Sequence, residues 1–587
     1  MLAKLSVDQI LIKARSHAHN GEVEEAQSLY QDVLKAKKEL IKQELAVLNK
    51  PKQNNAMQSL PKEVLDQLAN TYNQGRFLAV VEKTQTLIEQ YPHAFILWNL
   101  LGASASQIGM LDQAIYAYKK AISIKPDYAD AYCNMSVALQ NQGKPDEAIE
   151  ACNKAISLKP DYVVAYSNMG NAFQNQGKLD EAIKAYNKAI SLKSDYPDAY
   201  YNLGIALQDQ GKLDEAIEAY NTALLFKPDY VLAYNNKGKI LKYQGNLDKA
   251  IDAYRKSISF KPDYAEAHHN LSFALLNKGR LKEALDEYEW RWRTSKYVTQ
   301  IREFSQPLWD GKKSLKGKRI LLWCEQGIGD TIIWSSCLPL LTSQADHCIL
   351  ECQEKLVPLF KRSFTNVEIK VENRSQDLER DDFDFHLPMG SLYRHFMEEI
   401  KRNAKAAPFL ISDPARVKFW RKRLNSLGNG PYIGISWKSS NMAPTRLPNY
   451  APISEWSPLL KLPNVTFINL QSKDFADDLT KIQDQLGVTI HNFNDLDHHN
   501  NLLDVAALCS ELDFVVSIQN SVPLISAGVG TSTKLASWQH SPWNNVLHKP
   551  VGPLVSKFER DTFEPWDRVF NLITKDILKL TKNRLSQ

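Results

Sequence analysis

Residues 165–195 read AYSNMGNAFQNQGKLDEAIKAYNKAISLKSD, and the surrounding chain repeats that pattern six times at a fixed spacing of 34 residues. Trp98, Tyr132, Tyr166, Tyr200, Tyr234 and His268 share one repeat position. Gly109, Gly143, Gly177, Gly211, Gly245 and Gly279 share a second, and Ala114, Ala148, Ala182, Ala216, Ala250 and Ala284 a third. Pro126, Pro160, Pro228 and Pro262 close their units, with Ser194 in the remaining place. Such periodicity predicts an α-solenoid, because one helix pair cannot bury its apolar face until a neighbour stacks on it. Tyr132 and Met135 at helical spacing predict a buried face on each first helix, and Gly143 a turn after it. Small residues such as Ala148 and Ala155 admit close approach of the second helix. Pro160 ends that helix, and Asp161 is expected to cap the next.

This pattern resembles the tetratricopeptide repeat. Working outward, Gly75 and Pro92 sit one period before Gly109 and Pro126 and predict a divergent leading unit. Gly21 and Ala26 predict a degenerate helix pair over Ser6–Leu40, followed by a polar interruption. The expected divisions are 1–62 for that pair and linker, 63–297 for the solenoid, 298–412 for a first Rossmann-like half and 413–587 for a second half with a closing helix. EYEWRWRTSKY, at 287–297, crowds the rings of Tyr288, Trp290 and Trp292 together with Arg291 and Arg293, and an aromatic cluster there is expected to dock the next domain.

From Leu315 the pattern alternates between strand and helix. KGKRILLWC, HCILECQ and DFDFHLPMG read as strands, separated by GIGDTIIWSSCLPLL and KLVPLFKRSF as helices. Pro408–Pro414 reads as a linker into a helix that starts after Asp413. YIGISW, NVTFINLQ, DFVVSI and TKLASW form a second strand series, with ISEWSPLLKL, LLDVAALCSEL and SVPLISAGVG as helices. A last helix, Trp566–Leu580, is expected to cross back over the first half. Alternation of this kind predicts parallel sheets covered on both faces. Two facing Rossmann-like halves resemble the GT-B glycosyltransferase architecture.

Composition bounds the function. The chain has 587 residues, a net charge of +5 and 24% charged residues, too little basic excess for a dedicated nucleic-acid binder. Seven cysteines without a CxxC predict no disulfide framework. MLAKLSVDQILIKAR lacks the apolar core of a signal peptide, and no apolar run predicts a transmembrane segment. A cytoplasmic protein is expected. His498-His499 has no companion at ligand spacing, so no metal site is expected.

Four features are candidates for chemistry. Gly327-Ile328-Gly329-Asp330 follows a strand and opens a helix; the glycines let backbone N–H groups approach an anion, and Asp330 suits either a helix cap or a carboxylate taking a proton from a hydroxyl. Lys438, after YIGISW, and Arg446 in the following loop are cations beyond a strand's carboxyl end, suited to a departing diphosphate. Asn520, Ser521 and Val522 open the SVPLISAGVG helix, where N–H groups suit an anion. Asn134, Asn168, Asn202, Asn236 and Asn270 recur once per repeat, and amides that donate and accept suit an extended peptide backbone.

RILLWCEQGIGDTIIWSSCLPLL resembles the opening of the bacterial heptosyltransferase family, and its coupling to tetratricopeptide repeats is similar to the protein O-linked N-acetylglucosaminyltransferases. The resemblance implies a metal-independent glycosyltransferase with Asp330 as base and Lys438 on donor phosphate. It implies a nucleotide-diphosphate sugar as substrate, no cofactor, and a protein or peptide hydroxyl acceptor held by the asparagine column. Gln519, Pro523 and Leu524 stand where the heptosyltransferase family has an acidic residue and then an Ala-His pair. That departure keeps a non-catalytic repeat scaffold as the alternative.

Overall fold

A computed structural model of the chain describes residues 60–375, 377–402, 408–428, 430–439, 450–473, 475–538, 555–560 and 564–585. The helix pair expected over Ser6–Leu40, nearly all of the interruption after it, and Arg446 lie outside the described residues. Two compact units divide between Asn168 and Met169.

The first unit is helical. Lys62–Asn73 and Phe77–Gln90 form the divergent leading pair; Phe95–Gln107 with Leu111–Ile124 and Ala129–Asn141 with Pro145–Leu158 follow. The glycine after each first helix adopts φ between +73° and +81°, open to glycine without strain. Its turn closes with Gly143 N–H donating to Gln140 O and Lys144 N–H to Leu139 O, both at 2.9 Å, so carbonyls at the helix end are satisfied. The expected caps are not aspartates. First helices elsewhere in the array start after Tyr128, Tyr196, Tyr230 and Tyr264, and none of these is a side-chain cap. Asp161 likewise lies ahead of Tyr162, whose hydroxyl donates to Asp130 at 2.7 Å. Tyr132 and Met135 are half-buried rather than core; Ala131, Cys133, Ser136, Ala138 and Leu139 are the buried residues of that helix.

Both units use the same internal contact. A Cβ on Gly102 would come within 2.7 Å of the Tyr118 ring, and one on Gly204 within 2.5 Å of Tyr220; Gly170 with Tyr186 and Gly238 with Tyr254 repeat the arrangement. A ring on the second helix thus lies against bare backbone on the first. Where the ring is missing, the glycine is missing too: Cys152 faces Ser136. The lost volume on one helix is regained on the other, as close packing requires.

The second unit continues with helices Leu179–Leu192, Pro197–Asp209, Leu213–Phe226, Val231–Tyr243, Leu247–Phe260, Ala265–Asn277 and Leu281–Tyr288, then enters an α/β region. Strands β1 (Arg319–Trp323), β2 (His347–Cys352), β3 (Val367–Val371) and β4 (Phe385–Pro388) form a parallel sheet of order β3-β2-β1-β4. Strands β5 (Tyr432–Ser436), β6 (Thr466–Asn469), β7 (Ile490–His491), β8 (Phe514–Ser517), β9 (Thr533–Trp538) and β10 (Val555–Arg560) form a second, of order β10-β9-β8-β5-β6-β7. The progression of strand order reverses between β1 and β4 and between β5 and β8, the places where open parallel sheets gather ligands.

Several expectations are corrected. DFDFHLPMG holds the fourth strand, not the third, because β3, β7 and β10 gave no continuous apolar run. ISEWSPLLKL is a 3-10 turn over Ile453–Trp456 with a single helical turn, Ser457–Leu460. The last helix, Asp567–Leu585, does not cross to the first half. Its Val569, Phe570, Ile573 and Ile577 join Ile433, Ile435, Trp456 and Val516 in the core of the second sheet. Asp413 does cap the helix Pro414–Asn425, accepting from Ala415 N–H at 2.8 Å.

One apolar cluster runs from Tyr254, Leu271 and Leu285 in the last repeats through Leu322, Trp334 and Leu350 to Val505 and Leu524 in the second half. At the joint, Trp292 packs on Trp323 with ring centroids 5.4 Å apart, as expected for docking. Trp290 instead stacks on His268 of the last repeat at 3.8 Å, within the solenoid. The docking residue that sequence inspection passed over is Arg291. It is fully buried, bonds Glu325 at 3.1 Å, Glu289 at 2.8 Å and Ser391 at 2.9 Å, and lies 4.4 Å from the centroids of both Tyr288 and Trp292. Burial pushes the Glu325 carboxyl up while Arg291 pulls it back down.

Two outcomes follow for unfolding followed by tryptophan fluorescence in urea. Gly204→Ser is expected to cost about 1–3 kcal/mol by overpacking, and Gly204→Ser with Tyr220→Cys to cost less than the two changes summed. Arg291→Ala, which leaves Glu325 buried without its cation, is expected to cost about 3–5 kcal/mol, with Arg291→Met/Glu325→Gln recovering part of it.

Candidate functional site

The GIGD turn leaves β1 and enters the helix Ile328–Ser335, with Gly327 at the N-cap and no side-chain cap. Asp330 is therefore not the cap; it lies in the first turn, half-buried, its carboxylate 3.7 Å from where a Cβ on Gly327 would stand. Tyr288 and Tyr297 lie close enough to feel its charge, which adds to the burial that raises both phenols. Gln326 donates to the Tyr288 hydroxyl and its carbonyl accepts from Gln353 at 2.8 Å, so the turn is tied both to the last repeat and to the end of β2.

In the second half, Lys438 follows β5. Its ammonium pairs with Asp478 at 2.5 Å, and Asp478 also accepts from Trp437 Nε1 at 2.8 Å. Asn520 stitches the β5/β8 crossover: its amide donates to Ser436 Oγ at 2.8 Å and Lys438 O at 3.1 Å, while its oxygen accepts from Val522 N–H at 2.9 Å. Asn520 and Val522 thus satisfy each other, which corrects the picture of a helix start with all its N–H groups pointed at a ligand. Ser521 is the N-cap of the short helix Val522–Gly528 and makes no side-chain cap bond.

The two turns meet. A Cβ on Gly329 would lie 3.3 Å from Leu524 and 3.9 Å from the Ser521 backbone, so the halves are in close contact there and a side chain would press on Leu524. At that point no gap separates Asp330's turn from the Ser521 helix. Beyond the ends of β2 and β6, Lys355 Nζ lies 3.2 Å from His499 Nε2 with Lys473 nearby. Burial lowers the pKa of Lys355, and so does the charge of Lys473; burial and both lysines lower that of His499. These groups stand 144 positions apart in the pair Lys355 and His499. Lys355 carries a signal that inspection could have used, a cation just after an apolar strand.

The asparagine column is half-buried. In the first unit Asn134 donates to Asn99 and Asn168 to Cys133 Sγ, each at 3.3 Å; in the second, Asn236 donates to Tyr201 at 3.1 Å and Asn270 to Asn235 at 2.9 Å. Each bond reaches the first helix of the preceding repeat. The amide donors therefore join neighbouring repeats, a correction to their expected use as a backbone clamp. Asn202 is likewise half-buried.

The periodic helix pairs are tetratricopeptide repeats. Profiles described as "TPR repeat" match residues 107–143, 175–211 and 238–279, and profiles described as "Tetratricopeptide repeat" match 129–162, 197–230 and 151–184. The chain is similar to Protein FlbA of Caulobacter vibrioides, 31% identical over 281 residues, covering 44% of this chain and 46% of FlbA. It thus spans less than half of that relative's length. The peroxisomal targeting signal receptor of Kluyveromyces lactis is 32% identical over 72 residues, 12% of this chain and 13% of the receptor. Among solved structures, MamA is 31% identical with a TM-score of 0.26, covering 28% of this chain and 97% of MamA. Among the described residues, no helix is long and apolar enough to cross a membrane.

His498, beside His499, is buried with both ring nitrogens unpartnered, and burial lowers its pKa to about 4. The folded state therefore keeps it neutral while the unfolded chain takes up a proton near its ordinary value of 6.5. Stability attributable to this group is complete above that value and falls as pH drops from about 6.5 toward 4, with a slope of about 1.4 kcal/mol per pH unit. His498→Leu is expected to reduce the acid-side slope of the urea midpoint by that one-proton contribution.

Proposed function

We propose that the protein transfers a sugar from a nucleotide-diphosphate donor to a hydroxyl of a peptide or protein held by the repeats. The observation that carries the reading is the gathering of Lys355, His499 and Lys473 beyond strand ends contributed by both halves, beside the turn that holds Asp330. The charge of exposed Lys473 acts against that of half-buried Lys355, whose ammonium donates to His499, and a diphosphate in their midst would relieve that repulsion. Asp330 would accept the proton as the acceptor oxygen bonds to the anomeric carbon and the sugar–phosphate bond breaks. The diphosphate would leave with its new charge held by the basic groups, Lys438 among them once it exchanges Asp478 for phosphate. Gly327 lets the backbone of the turn approach the donor.

A second reading, a non-catalytic repeat scaffold, is favoured by the Lys438–Asp478 pair and by the Asn520–Val522 bond, which leave these groups already satisfied. Gln519, Pro523 and Leu524 point the same way.

A thermal-shift screen against nucleoside diphosphates separates the two, because a ligand that binds only the folded state raises its apparent stability. The transferase reading expects a shift that Lys355→Ala and Lys438→Ala both weaken. It also expects Asp330→Asn to keep the shift while losing sugar transfer, by about a hundredfold or more, to an acceptor pool. Absence of any shift, or transfer undiminished in Asp330→Asn, gives the scaffold reading.

A further inference from the structure

Internal repetition supplies a control for every residue of the solenoid, because each position has been filled several times in one chain. The first helix Val231–Tyr243 departs from its siblings in charge. Lys239 stands where other repeats have Val137, Asn171, Ile205 and Phe273, and Lys242 where they have Gln140, Gln174, Gln208 and Leu276. In those siblings the glutamine has structural work: Gln140 donates to Asn168 O at 3.0 Å and Gln174 to Asp209 at 2.9 Å. Lys242 gives that up for an ammonium whose pKa burial lowers to about 8, with Lys239 adding to the effect.

The fold does not neutralise this pair. Among the described residues neither lysine forms an ion pair; Lys239 Nζ bonds the neutral Asn236 Oδ1 at 3.0 Å, and Lys242 Nζ lies 5.6 Å from the Phe273 ring centroid. Glu266 is the carboxylate that acts on Lys239, and it does so without contact. On the adjoining first helix His269 is held neutral, its pKa lowered to about 4 by burial and then by Lys296, Arg291 and Lys242. Arg291 is neutralised by Glu289 and Glu325, whereas exposed Lys296 adds to the positive field.

His269 also joins this helix to the packing around the candidate base. His269 packs on Tyr297 at 5.7 Å and on Tyr288 at 5.9 Å, and Tyr288 accepts from Gln326, the residue before the GIGD turn. Tyr288 and Tyr297 also feel the charge of Asp330, so the lysines and the candidate base border one aromatic cluster.

We propose that Lys239, Lys242 and Lys296 dock an extended peptide through Asp or Glu side chains, so that the acceptor is selected for acidic residues flanking the hydroxyl presented to Asp330. This rests on the reading that the repeats hold the acceptor. Carboxylates would supply the countercharge that the fold leaves out, and partial burial would strengthen each contact over its value in water.

The test uses the full chain and two fluorescein-labelled degenerate peptide pools, identical except that one carries two Glu where the other carries two Gln. Fluorescence anisotropy at low salt is expected to show the Glu pool binding about tenfold tighter, with the difference shrinking as salt rises. Lys239→Gln/Lys242→Gln is expected to abolish the preference while leaving the Gln pool's Kd and the melting temperature unchanged. Lys239→Glu/Lys242→Glu is expected to prefer a pool carrying Lys. Equal binding of the Glu and Gln pools, a preference that survives in the Gln variant, or binding of a phosphoserine pool without the Glu pool overturns the inference. Failure of every pool to bind overturns it together with the peptide-acceptor reading. A Glu preference in a protein that transfers no sugar supports it and removes the transferase reading alone.

Discussion

The guanidinium of Arg291, sealed between Glu289, Glu325 and Ser391 and sandwiched by Tyr288 and Trp292, fixes the place where a repeat array becomes parallel α/β structure. Its acceptors come from the end of the solenoid, from the loop after β1 and from the turn after β4. A cation stripped of water must find anions at hydrogen-bonding distance, so this one residue sets the last repeat and the first sheet in a single register. Gly390 answers to the same constraint, since a Cβ there would stand 2.3 Å from a Glu325 carboxylate oxygen. The GIGD turn begins two residues after Glu325 and inherits its position from that network.

The solenoid obeys a steric rule in place of an electrostatic one. In four units a tyrosine on the second helix lies against a glycine on the first, and the Ser136–Cys152 unit keeps the packing with the sizes exchanged. Polar bonds at a constant register reinforce the stack within each unit, with Gln142 on Asp112 in the first, and Gln210 on Asp180 and Gln244 on Asp214 in the second. Against so regular a background, two unneutralised lysines on one helix are a departure that packing does not ask for. Functional surfaces in repeat proteins arise in this way, by local substitution on a frame whose stability lies elsewhere.

Legibility in the sequence tracked how local the governing physics was. The repeats were readable because period, turn glycine and closing proline all lie within 34 residues. Strands β1, β5 and β8 were readable as nearly continuous apolar runs of a doubly covered sheet. β3 was missed because Glu368 and Lys370 interrupt it, finding His347 and Asp382 across the surface. β7, of two residues, and β10, with three charged residues in VSKFER, exist through the partners they pair with rather than through their own pattern.

The sequence by itself determined the helix pairs, the turn that follows each first helix, the change to parallel α/β structure and the presence of Asp330 and Lys438 after strands. All of these follow from residue spacing within one element or its neighbour. Tertiary structure decided that Trp290 turns back on the solenoid while Arg291 enters the joint, that the asparagine amides join repeats, and that Gly329 closes against Leu524. It also brought Lys355 to His499 and, among the described residues, left Lys242 without a carboxylate. Those outcomes depend on which side chains compete for the same buried space or charge after distant segments meet, and no window of sequence contains both competitors.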